Sequence, residues 1–489
     1  MNSRLLVITA ALLSTAAYAD DADAGTAEST PVTPVQTDPQ NTPAAETAPT
    51  PKPEPVAAPA PAAPAPTAQI IPPGMMAVIS KFNATLYGFA EFDGIYDTTE
   101  GLNDLVGNSL IARPDTYNGQ HGRMTFSARN TRIGFKLSGP EWNGIKGTGV
   151  IEADFLGSQP TTISDAATFA NPTFRIRHAY VKMETPVLDV LIGQYWQLFG
   201  WQSAFFPAAV ELQGNLGQVY SRAPQIRLSK TVKTEPVNLD IAIAASRPGQ
   251  RDSGLPDGQA GIKLTVNGWK TVRTASSTGT SVDGLGIGLS GVARSFNLTE
   301  FAAAPKKSTS ATGWGYAADV FIPIVPATND DRSNALSLSG EFARGAGIAD
   351  YYTSLSGGVS NAALPNPTMA NPAPTYTANV DSGLVVYDKA GNLLPIDWST
   401  YIVGLQYYFP GGGNVWAAVD FAHIHSNNSK GHGSAKAVLD RANWASVNLF
   451  WDATKAVRLG LSYGYTAQWY VDQIKAENHR VQLSAFYIF

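Results

Sequence analysis

The sequence predicts an all-β protein. It reads as a transmembrane antiparallel β-barrel of sixteen strands, with eighteen as the alternative count, an inward-folded third loop and a disordered Pro/Ala-rich N-terminal tail. Three observations carry this. From about Ala84 onward, segments of 9–13 residues alternate apolar with polar or tiny side chains. The chain opens with the pattern of an export signal. It ends on an aromatic, in VQLSAFYIF, where Val481, Leu483, Ala485, Tyr487 and Phe489 alternate with Gln482, Ser484 and Phe486, the first two of them polar.

The 489 residues are 44% hydrophobic and 15% charged, with no cysteine, so stability after export comes without disulfides. Arg4 precedes LLVITAALL, and Ala17-Tyr18-Ala19 precedes Asp20. A basic start, a short apolar core and an A-x-A site predict a secretory signal over 1–19, cleaved after Ala19. A cytosolic helix is the competing reading. Residues 20–69 are dominated by Pro, Ala and Thr and show no apolar period, which predicts a semi-extended periplasmic linker. The linker carries seven acids against Lys52. Taking these and Arg4 from the totals of 34 basic and 39 acidic residues leaves 32 of each in 70–489, the barrel domain. A neutral barrel gives no charge-driven affinity for nucleic acid.

Within 70–489 the period is 2, which gives each strand one apolar face. In VNLDIAIA, Val237, Leu239, Ile241 and Ile243 oppose Asn238, Asp240, Ala242 and Ala244. A soluble sandwich also alternates, but its strands are shorter, whereas about 9–11 residues suit a tilted crossing of a bilayer. Sixteen strands are expected near 84–97, 122–137, 145–156, 174–183, 188–199, 225–234, 237–246, 258–268, 284–297, 312–325, 334–345, 398–409, 414–425, 441–454, 456–470 and 478–489. A hairpin around SGLVVYDKAGNLLP in 346–397 would raise the count to eighteen. The terminal strand must pair back to the first, because a barrel leaves no edge in lipid.

A barrel of this size encloses water, so function depends on the charges that point inward. Arg123, Arg129, Arg132 and Lys136 come without an acid in GRMTFSARNTRIGFK. Arg175, Arg177, His178 and Lys182 do so in FRIRHAYVK, and Arg222, Arg227 and Lys230 in SRAPQIRLSK. The balancing acids come from Glu91, Asp93, Glu152, Asp154, Asp240, Asp319, Glu341 and Asp420. Parity breaks between Arg129 and Arg132, so all four early cations share a face only across a bulge. The stretch 200–224 is apolar and Gly-rich, which predicts a loop folded into the lumen. That loop would carry Gln202, Glu211, Gln213, Tyr220 and Arg222 toward the basic strands. Two readings stay open: an anion-attracting constriction, or arginine–carboxylate pairing that holds the wall together.

Other motifs are weaker. His423 and His425 share a strand face but lack a third metal ligand. NDDRSN (329–334) is ordinary acidic turn chemistry. No nucleophile–base–orienter set is present, so neither an enzyme nor a cofactor is expected.

LYGFAEFDGIYD, SARNTRIGFKLSG, FRIRHAYVKME and LIGQYWQLFG follow one another in order. Over about 84–230 this series resembles the opening strands of DcaP-like outer-membrane porins of Gram-negative bacteria, the group linked to dicarboxylate uptake. The resemblance implies a sixteen-stranded homotrimeric barrel with an inward third loop, set among outer-membrane lipid and lipopolysaccharide and passing small anionic solutes. By motif position it offers Arg129, Arg132, Arg175, Arg177, Gln194 and Trp196 as pore residues. The Pro-rich tail replaces the N-terminal helix some members carry. A general or sugar-selective porin, with Trp196, Trp201 and Tyr220 as a stacking surface, is the alternative. So is an envelope tether whose tail contacts the cell wall.

Overall fold

The computed structural model describes residues 82–100, 102, 104, 110–157, 173–211, 215–275, 277–328, 330–352, 379–388, 390–431 and 438–489. The expected signal at 1–19 and linker at 20–69 lie outside the described residues. The strands are β1 (Asn83–Asp97), β2 (in two halves, Arg123–Ser127 and Arg132–Ser138), β3 (Lys146–Asp154), β4 (Arg175–Glu184), β5 (Asp189–Trp196), β6 (Arg222–Lys233), β7 (Val237–Ser246) and β8 (Asp257–Thr274). They continue as β9 (Thr280–Thr299), β10 (Ser308–Val325), β11 (Leu336–Ala346), β12 (Asp397–Tyr408), β13 (Val415–Ser426), β14 (Leu439–Asp452), β15 (Val457–Tyr470) and β16 (Lys475–Ile488). Each pairs antiparallel with its neighbours, and β1 closes the barrel on β16. Seventeen hydrogen-bonded segments make sixteen strands, because both halves of β2 pair with β1. The hairpin in 346–397 does form, as Val385–Tyr387 against Leu393–Pro395, but it is a separate two-stranded sheet, so the count stays at sixteen.

Closure satisfies the backbone of both end strands, which a hydrocarbon surround demands. Phe89 to Asp97 pair with Ile488 to Arg480, and Gly88 and Phe489 exchange both backbone hydrogen bonds at 2.9 and 3.0 Å. The period-2 pattern sorts outside from inside. Ile241 and Ile243 are 45% and 54% exposed, while Ala242 and Ala244 between and after them are 3% and 7%. The exposed set continues with Ile262, Leu264, Ile287, Leu289, Leu461 and Leu483, which form an apolar outer band.

Three irregularities shape the lumen. In β2, the four residues Ala128–Thr131 stand opposite only three of β1, Ala90–Phe92. The extra residue moves the inward parity from odd to even positions, so that Arg123 and Arg132 fall on the same face. In β4, Glu152 pairs with His178 and Ala153 with Ile176, so Arg177 is the extra residue of a bulge. In the β8–β9 hairpin, Leu285 pairs with Val266 but Gly284 pairs with Lys270, leaving Asn267–Trp269 looped out. Pairing of β8 with β7 ends at Val266, and pairing of β9 with β10 begins at Gly286. Residues 270–284 therefore leave the wall as a two-stranded arm.

Two loops fill much of the interior. Phe199, Leu216 and Val219 of the third loop (197–221) pack with Tyr351, Tyr352, Leu384, Val385 and Val386 of the sixth (347–396) against Trp398, Ile402, Ile424 and Trp444 of the far wall. Arg294 of β9, held by Asp257 of β8, ties the sixth loop down through Asp350 (2.6 Å) and the Gly347 carbonyl (2.8 Å). Among the described residues this packing occupies the β9–β14 side of the interior.

Candidate pore constriction

The basic wall is built on β2, β3 and β4. Arg175 grips Asp154 with two hydrogen bonds, at 2.9 and 2.7 Å. Arg177 donates to Glu152 (2.7 Å), Asp154 (3.0 Å) and the Tyr220 hydroxyl (3.3 Å), and lies over the Trp196 ring at 5.8 Å. Arg132 stands 3.7 Å from Glu152 and 4.9 Å from the centre of the Phe89 ring. Arg222 sits 4.8 Å from the Trp196 centroid and 3.4 Å from the Tyr220 hydroxyl, with no carboxylate partner among the described residues. Four guanidinium groups thus gather round Glu152 and Asp154, and on their other side Arg175 and Arg222 share an adjoining cavity with Arg247, Asp350 and Asp381. Both sequence readings describe part of this wall: Arg175 and Arg177 are paired, Arg132 is held only loosely, and Arg222 is stacked.

The third loop supplies the floor. The Gln259 side-chain oxygen accepts from the Leu198 and Phe199 backbone, each at 2.9 Å. Gly200 donates to Ser290 (2.8 Å), Val219 to Glu341 (2.7 Å), Tyr220 to the Tyr351 carbonyl (2.8 Å) and Val210 to Asn448 (2.9 Å). These bonds carry Ser203, Phe206, Pro207 and Tyr220 to the basic wall. There they line a cavity of about 330 Å³ with Arg132, Glu152, Arg177, His178 and Trp196. Burial alone would raise the Tyr220 phenol, but Arg177, Arg222 and Arg132 hold it down, at about 8.

The opposite side of the same cavity is the arm, through Arg273, Ala275 and Ser277–Gly279 with Ser281. Arg273, paired with Asp283 at 2.6 Å, is a cation the early basic motifs do not contain. Its signal in the sequence was the length of 269–283, where the alternation of long and short connections calls for a short turn.

The remaining sequence candidates lie elsewhere. Arg123 faces Asp97 at the loop end of β2, away from the cavity. Arg129 sits in the β2 break, bonded to Asp104 (2.9 Å) and the Gly157 carbonyl (3.1 Å). Lys136 lies exposed four residues past Arg132. Gln194 donates to the Ile176 and Arg177 carbonyls and so braces the bulge. Arg227 donates to the Trp196 carbonyl (2.6 Å) and stacks on Tyr195, behind the cavity. Glu211 departs from expectation: it crosses the lumen to Gly464 on β15 and faces Arg480 and Asp97, because Asn448 draws Val210 to that wall. Burial pushes its carboxyl up to about 7, against the pull of Arg480. Gln213 lies outside the described residues, and Gln202 bonds within the loop to Phe199 and Ser221.

The crystal structure of the outer membrane channel DcaP of Acinetobacter baumannii superposes with a TM-score of 0.57 at 20% identity, covering 84% of this chain and 98% of that one. The barrel has the fold of that outer membrane channel. Two other porins match at lower similarity. An anion-selective porin from Comamonas acidovorans has a TM-score of 0.48 at 10% identity, over 83% of this chain and 100% of its own. The OmpF porin of Salmonella typhi, in a complex with daunomycin, has a TM-score of 0.46 at 13% identity, over 84% and 99%. No protein-family description and no curated protein matches the chain. In this barrel the two bulges and the third loop bring Arg132, Arg177, Trp196 and Tyr220 to one narrow place.

Proposed function

We propose that the protein is an outer-membrane diffusion porin whose constriction favours small anions, dicarboxylates first. The observation that carries this is that Arg132, Arg177 and Arg273 line, against the one carboxylate Glu152, a cavity of about 330 Å³, narrow enough for the wall charges to act on whatever passes. Arg132 supplies the field with Arg222 in the adjoining cavity, Arg177 aligns Glu152 and Asp154, and Trp196, Phe206 and Tyr220 give an apolar flank to the carbon chain of a diacid. The protomer is expected to assemble as a homotrimer with its N-terminal tail in the periplasm.

The test is the reversal potential of the purified protein in planar bilayers under a salt gradient, joined to uptake of succinate against a neutral sugar of similar size. An anion-positive reversal potential and faster succinate entry support the proposal. Equal permeability to both ions would replace it with a general or sugar-selective porin, for which Trp196 and Tyr220 would serve as a stacking surface.

A further inference from the structure

Asn267–Trp269 loop out of the β8–β9 hairpin, and beyond them the arm crosses the lumen to strands that lie far from it in sequence. The Gln406 side chain of β12 grips Thr274 as a neighbouring strand would: its amide donates to the Thr274 carbonyl at 2.9 Å, and its oxygen accepts from the Thr274 N–H at 3.1 Å. The Tyr408 hydroxyl meets Thr274 Oγ1 at 2.5 Å. Arg458 of β15 donates to the Ala275 and Thr278 carbonyls at 2.9 and 3.0 Å, while its Nε is held by Asp452 at 2.6 Å. Its side chain is 5% exposed. Asp452 also takes Arg332 at 3.2 Å, and Arg332 donates to Thr280. The arm's Val272 is fully buried against Tyr408, Trp416 and Phe450.

These groups satisfy the carbonyls of a turn that would otherwise face the water of the pore mouth. A turn left in water needs no such partners. Gly279 at the tip lines the constriction on one side and, on the other, a second cavity of about 550 Å³ that also contains Arg332, Asp452 and Arg458. The tip is therefore a partition across the path.

We propose that Arg458, with Gln406, sets the width and charge of the pore by clamping this arm in place. This rests on the reading of the barrel as a pore. Neither residue lines the constriction, so both are positioning residues. Their effect comes through the arm, which brings Arg273 to face Arg132 and Arg177. A freed arm swings about Gly268, beyond Asn267, which stays bonded to the Pro236 carbonyl at 2.8 Å; the path widens and the Arg273 charge is withdrawn.

The experiment compares parent, Arg458→Ala, Gln406→Ala and a barrel in which residues 271–283 are replaced by a two-glycine turn. Single-channel conductance, the size limit for neutral polymers and the reversal potential are measured, with heat-modified gel mobility as the check of assembly. All three variants are expected to conduct more than the parent, to admit larger polymers and to lose anion preference. Adding Arg458→Ala to the arm-deleted barrel should change nothing further, because its target is gone. Unchanged conductance in the two point variants, or a further rise on adding Arg458→Ala to the arm-deleted barrel, would overturn the inference while leaving a pore. A parent that conducts nothing would overturn it together with the pore reading.

Discussion

Arg132, Arg175 and Arg222 stand on alternate strands, β2, β4 and β6, and their surroundings give them different work. Arg175 is locked to Asp154, a carboxylate with a fully buried side chain, so replacing it leaves that charge to Arg177 alone and should cost assembly. Arg222 faces rings, and Arg132 reaches Glu152 only at 3.7 Å, so more of their field is left for the solute. Arg132→Gln and Arg222→Gln should therefore lower the anion-to-cation permeability ratio, most clearly at low salt, since screening acts over about 8–10 Å near physiological ionic strength. A tenfold loss corresponds to about 1.4 kcal/mol. Arg175→Gln should instead reduce the heat-stable fraction and leave the reversal potential of surviving barrels near the parent value. Tyr220 adds a pH dependence. Below its pKa of about 8 the phenol is neutral; above it, a phenolate enters the cluster of Arg177, Arg222 and Arg132 and offsets part of its charge. Anion preference should therefore fall as pH rises through 8. The fall should vanish in Tyr220→Phe, measured by reversal potential on the two sides of that value.

The third loop and the last strand each depend on one close backbone contact. Gly200 turns the loop into the lumen with φ of 78°, in the left-handed region, and an added Cβ would lie 3.0 Å from both Glu341 Oε2 and Val219 Cγ1. Gly200→Val should displace the loop from Glu341 and Ser290, and single-channel records should show larger, noisier currents from a normally assembled barrel. Phe489 closes the barrel through its exchange with Gly88 and presents its ring at the outer edge. Phe489→Ala should lower the yield of assembled barrel in membranes more than it alters the conductance of each channel; equal yields would remove the role assigned to this residue.

Across the whole molecule, the filling is lopsided. Among the described residues, loops three and six pack under β9–β14, the arm closes part of the terminus end, and a cavity stays open beside the cations. The charge selection proposed for it needs no high net charge, and the barrel domain can be neutral with 32 basic and 32 acidic residues. The proposed pore draws on none of residues 20–69. Deleting residues 20–69 should leave conductance and selectivity unchanged in bilayers; loss of cell-wall association in the same variant, assayed by co-sedimentation with peptidoglycan, would mark the tail as a tether in addition.

Periodicity by itself determined the strands, because lipid on one face and water on the other impose a repeat of 2 that every crossing must obey. Sixteen segments, the pairing of VQLSAFYIF with the first strand and the inward third loop were all legible from that rule and from apolar content where a loop should be polar. The parity break near Arg129 was legible too. Which arginines stay available to a solute was not. That depended on a bulge at Arg177 that turns Arg177 and His178 inward together, on Asn448 drawing Val210 and Glu211 to the far wall, and on Gln406, Arg332 and Arg458 catching an arm from strands far away in the chain. Alternation places a side chain on a face; only long-range hydrogen bonds decide which segment of that face stands opposite it, and so which charges meet across the pore.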